Sequence, residues 1–91
     1  GPVTVAPNAV TKLSGESPNI SRYRSQTVPA VAAAKLCIDT AGNVSSVDFV
    51  GRLDPRIASE LADQLETWKY KPYVIHGTAI GACFVVTMRM K

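Results

Sequence analysis

What this sequence lacks narrows it first. It holds one histidine, His76, and two cysteines, Cys37 and Cys83, with no C-x-x-C spacing, so no zinc-type ligand set can be assembled from it. There is no G-x-x-x-x-G-K-[ST] or G-x-G-x-x-G loop, and no spacing supports a Ser-His-Asp arrangement. His76 stands before Gly77 in a predicted turn, where a solvated residue fits better than a general base. Asp39, Asp48 and Asp54 fall at a turn end, in a strand and at a helix cap, and structural duties account for each. No catalytic residue, metal site or cofactor is expected. The reading is not of an enzyme.

No apolar run approaches the roughly 18 residues that span a bilayer, and the start lacks the order of a signal peptide. Gly1-Pro2 has the form of a remnant left by a tag protease. The chain is therefore expected to be a piece of a longer protein whose anchor or targeting signal lies elsewhere. Acids are missing after Glu66, while Lys69, Lys71, Arg89 and Lys91 follow. With Arg22 and Arg24 they make the net charge of +3 uneven. Two readings stay open. One is a surface favouring acidic peptide, nucleic acid or anionic lipid; the other is charge that keeps a sheet edge from aggregating.

What is present is a folding pattern. An apolar fraction of 46% over 91 residues suits one small core. Ile57, Leu61, Leu65 and Trp68 recur at helical spacing with Ala58 and Ala62 in the same stripe, and Glu60, Asp63 and Glu66 point the other way. Asp54 sits at the N-cap position and Pro55 at the first helical one. Pro72 forbids continuation, and Trp68, Tyr70 and Tyr73 give the exit a strand-like character.

Around this helix the sequence reads as sheet. Val31–Asp39 and Val44–Gly51 are strands joined by a turn at Thr40–Asn43. Leu36 and Ile38 share a face, as do Val47 and Phe49. Lys69–Ile75 is extended, His76-Gly77 turns, and Thr78–Met90 is expected as one long strand. In it Ile80, Ala82, Phe84, Val86, Met88 and Met90 form the core face, alternating with Ala79, Gly81, Cys83, Val85, Thr87 and Arg89. Residues 3–30 are expected as an arm with at most one strand, within Ala9–Ser14, and a helical turn near Ile20–Arg24. The fold class is α+β: a small antiparallel sheet, ordered β-β-α-β-β, with one amphipathic helix on one face.

By the same alternation Cys37 and Cys83 lie on the sheet face away from the helix, placed for a cross-sheet disulfide and so for an oxidising compartment. A free buried pair in a reducing compartment is the alternative. A nucleic-acid module is disfavoured, because Trp68, Tyr70, Phe49 and Phe84 belong to the core by periodicity and the helix is acidic. Binding by an exposed sheet edge remains, and the final strand is the longest.

From Val31 to Lys91 the sequence resembles the TonB C-terminal domain family. The resemblance rests on LCID (36–39) running into x-x-G-x-V (Thr40–Val44), then an amphipathic helix, then W-K-Y-K-P (Trp68–Pro72), Gly77 and a long strand. The cysteine pair resembles that of a subset of the family. Upstream, Ser17-Pro18-Asn19-Ile20-Ser21 departs from the family's P-x-[YF]-P element, lacking the aromatic and the second proline. The resemblance implies a periplasmic domain of an inner-membrane-anchored protein, coupling a proton-driven inner-membrane motor to an outer-membrane partner. An extended segment of that partner would pair with the edge Ala79–Arg89, steered by Lys69, Lys71 and Arg89. A periplasmic adaptor of another trans-envelope machine (TolA-like, secretion or motility) is the alternative, and the missing aromatic-proline element favours it. Strand exchange between two copies is a further risk of a long exposed edge.

Overall fold

The computed structural model describes residues 1–18 and 31–89. The expected helical turn at Ile20–Arg24, the basic pair Arg22 and Arg24, and Met90 and Lys91 lie outside the described residues. The main sheet is four-stranded, ordered β1 (Val3–Thr4), β8 (Ala82–Arg89), β3 (Val31–Ile38) and β4 (Val44–Val50). The β3–β4 hairpin and the antiparallel β3–β8 ladder, running from Val31 opposite Arg89 to Ile38 opposite Ala82, are its body. β1 joins β8 in parallel.

Alternation puts Ala34, Leu36 and Ile38 of β3 on the same side as Ala82, Phe84 and Met88 of β8, all buried. The helix α1 (Pro55–Leu65) closes this side, capped by the Asp54 carboxylate accepting from the Arg56 N–H at 2.8 Å. Ile57 and Leu61 pack with Phe49 and Leu53, while Leu65 enters the main cluster. Trp68 belongs to the same apolar stripe but stands outside the helix. A tightened last turn, with the Trp68 N–H on the Leu65 carbonyl at 3.0 Å, swings it into the core.

Two expectations need correction. The strand read over Thr78–Met90 is broken at Gly81: Thr78–Ile80 (β7) pairs with Tyr73–Ile75 (β6) as a separate hairpin about His76-Gly77, and the sheet strand starts at Ala82. Gly77 and His76 both have positive φ (79° and 51°), which matches the tight turn such ribbons favour. The arm, read with one strand at most, carries two. β1 lies on β8, and β2 (Lys12–Ser14) pairs antiparallel with β5 (Lys69–Tyr70), with a 3-10 turn over Pro7–Ala9 between them. β2 falls within the strand expected over Ala9–Ser14, whereas β1, two residues long, is too short for periodicity to register.

Candidate partner-binding edge

β8 has one side occupied along its length by β3. Cys37 and Cys83 face each other across that ladder, Cα atoms 4.0 Å apart and joined by a disulfide. This is the close, non-hydrogen-bonded kind of pair, so the backbone N–H and C=O of Cys83, and of Val85, Thr87 and Arg89 in step with it, point away from β3. The arm takes the first of these outward groups. The Val3 N–H donates to the Gly81 carbonyl at 3.1 Å and the Val5 N–H to the Cys83 carbonyl at 2.9 Å. Beyond Cys83, among the described residues, no strand lies on the outer side of β8. Of the stretch Ala79–Arg89, then, Ala79 and Ile80 belong to β7, Gly81 and Cys83 meet the arm, and Ala82, Phe84, Val86 and Met88 turn their backbone to β3. Val85, Thr87 and Arg89 have no strand on that side among the described residues.

Beside that edge runs an apolar groove of about 460 Å³, lined by Pro7, Val10, Lys12, Trp68, Tyr70, Phe84 and Val85–Thr87. Its floor is rigid. The Trp68 Nε1–H donates to the Glu16 carbonyl at 2.9 Å, and Gly15 lies flat on the indole where a Cβ would collide with the ring. Tyr70 meets Phe84 edge to face with ring centroids 4.9 Å apart, and burial pushes its phenol pKa up. The Lys12 ammonium sits 3.5 Å above the Trp68 ring, a cation–π contact at the groove's rim.

The three cations named for steering are placed differently. Lys69 is committed to the β3–β4 turn, its Nζ donating to the Ala41 carbonyl at 3.0 Å and to Asn43 Oδ1 at 2.6 Å. Lys71 is exposed, its backbone N–H on the Thr11 carbonyl at 2.9 Å. Arg89 is exposed at the far end of β8, opposite Val31.

The whole arrangement, and not only its core, superimposes on a known domain. The solution NMR structure of the Pseudomonas aeruginosa TonB C-terminal domain matches it with a TM-score of 0.70, over 96% of this chain and 92% of that one, at 14% sequence identity. The fold is that of a TonB C-terminal domain. No family model matches the sequence, and no curated protein matches it in sequence.

Within the TonB-type fold, the two motifs that carried the resemblance touch. Asp39 closes the D-x-x-G turn by accepting from the Ala41 and Asn43 N–H groups, both at 2.9 Å. Those bonds, the Asn43 N–H above all, hold its carboxyl below the usual carboxylate range, helped by the Lys69 charge. The W-K-Y segment lies across that turn, with the Tyr70 N–H on the Gly42 carbonyl at 2.9 Å. Residues that sequence reasoning missed are those of the arm: Val3 and Val5 on β8, and Val10 and Lys12 in the groove. The apolar–polar–apolar run Val3-Thr4-Val5 was the one available signal. Among the described residues no helix is long and apolar enough to cross a membrane, and no three His, Cys, Asp or Glu side chains are grouped to hold a metal ion.

Proposed function

We propose that this domain is a periplasmic protein-interaction module of an inner-membrane energy transducer. It takes an extended segment of an outer-membrane partner as an added strand on the outer side of β8 and carries force to it from a proton-driven motor reached through an anchor elsewhere in the protein. The single observation that carries the reading is the outward row of backbone groups at Val85, Thr87 and Arg89, beside an apolar groove, in a TonB-type fold. Strand addition supplies affinity through main-chain bonds and specificity through alternate side chains. A pull along the strand loads those bonds together. Lys71, Lys12 and Arg89 would steer an acidic segment; Lys69, held by the turn, would act on its approach only through its charge.

A second reading, an adaptor in another trans-envelope machine, uses the same edge with a different segment. It is favoured by the absence of the aromatic-proline element after Ser17. Nucleic-acid binding is not supported, because Trp68, Tyr70 and Phe84 are buried and offer no stacking face.

The experiment is an NMR titration of the labelled domain with synthetic periplasm-facing segments of outer-membrane transporters. Shifts concentrated at Val85, Thr87 and Arg89 support strand addition on β8. Saturation with those amides unmoved counts against it.

A further inference from the structure

The acceptor edge is already partly taken by the chain itself, and we infer that β1 is a resident competitor which an incoming strand must displace. This rests on the strand-addition reading and adds its regulation. A visitor using all the outward groups of β8 would need those of Gly81 and Cys83, and the Val3 and Val5 N–H groups hold both carbonyls. The arm is built to mimic such a visitor. Val3 and Val5 are half-buried against the core, and Thr4 between them is exposed.

The arm is also built to stop. In the register that brings residue 3 to Gly81 and residue 5 to Cys83, the next donor falls to residue 7, which would reach Val85. Residue 7 is proline and has no N–H. The chain turns there into the 3-10 segment over Pro7–Ala9, which rests against β8. Val85 and Thr87 are thus left as a foothold. A strand that lands on the foothold can exchange, residue by residue, with a two-residue strand beside it. Because the arm is tethered, it competes at high effective concentration, and the visitor's apparent affinity is reduced by the fraction of arm-free molecules.

Two substitutions move the competitor in opposite directions. Val5→Pro removes the donor to Cys83 and loosens the arm. Pro7→Val supplies a donor aligned with Val85 and lengthens it. The probe is the synthetic peptide acetyl-Pro-Val-Thr-Val-Thr-Val-Thr-amide, which copies the arm and continues its alternation where the arm breaks off. Its affinity is read from the amide shifts of Cys83, Val85 and Thr87. The expected result is binding at least about fivefold tighter to Val5→Pro than to the unsubstituted domain, and weaker binding to Pro7→Val. A merely structural arm gives the reverse for Val5→Pro, since loosening it would weaken the site. Equal affinity in all three proteins, or weaker binding by Val5→Pro with the β3–β8 amides at their original positions, overturns the competitor and leaves strand addition standing. If Val5→Pro does not fold, unchanged affinity in Pro7→Val overturns it alone. A peptide that shifts none of the three amides in any of these proteins removes strand addition as well.

Discussion

The Tyr70 N–H donates to the Gly42 carbonyl at 2.9 Å, and a Cβ at Gly42 would run into the Tyr70 carbonyl, so a side chain there has no room. Through this contact the β3–β4 turn and the segment leaving the helix become one unit. That unit holds Tyr70 and Trp68 as the floor of the groove beside β8.

Gly42→Ala should be the most damaging change at any turn glycine. Its φ of 85° costs an alanine about 1–2 kcal/mol, and the collision with the Tyr70 carbonyl adds to it. Gly51→Ala is the control, with φ 84° and open space around the new Cβ, and should cost only about 1–2 kcal/mol. Urea midpoints of the two variants check this. Equal losses would mean that the contact with Tyr70 contributes nothing.

Acid should destabilise the domain through Asp39. Its folded-state pKa is depressed, so its contribution is present above the unfolded value of about 3.9 and disappears as pH falls through the folded one. Asp54, depressed by the Arg56 N–H, acts in the same direction. Asp39→Asn should be less stable at neutral pH and lose less on acidification to about pH 3. Urea unfolding at both pH values measures it, and parallel losses in the two proteins would contradict the assignment.

Trp68→Phe should keep an aromatic ring in the core but remove the pyrrole beside Gly15 and strand the Glu16 carbonyl that Nε1–H now satisfies, the lost hydrogen bond alone costing about 1 kcal/mol. The local effect should exceed the global one. Hydrogen exchange at residues 12–16 should accelerate more than exchange in β3, because the arm loses its anchor while the sheet keeps its ladder.

Opening the Cys37–Cys83 bridge should lower stability by about 4 kcal/mol in the chain-entropy view, for a sequence separation of 46. The paired Cys37→Ser and Cys83→Ser variant, compared with the oxidised domain by urea unfolding, tests it. A loss under roughly 1 kcal/mol would mean that the β3–β8 ladder alone sets the register.

Much of this was legible in the residues. Leu36, Ile38, Phe84 and Met88 alternate over long enough runs to announce β3 and β8, and Asp54-Pro55 announces the helix start. The break at Gly81 was not legible, because alternation continues through Ile80 and Ala82 while the pairing partner changes from β6 to β3. Lys69 reads as a free cation in sequence. Its partners at Ala41 and Asn43 lie far back in the chain, and no local pattern encodes them. The arm was the least legible part: β2 lies within the strand expected over Ala9–Ser14, but β1 is only two residues long and pairs with β8, far along the chain.

The central claim is that a partner strand lies along the outer side of β8, and amide hydrogen exchange on the saturated complex tests it most directly. Protection should rise at Val85 and Thr87, whose N–H groups face outward, and stay flat at Val47 and Phe49 on the opposite rim of the sheet. Protection gained at Val47 and Phe49 with Val85 and Thr87 unchanged would place the partner on β4 and contradict the account.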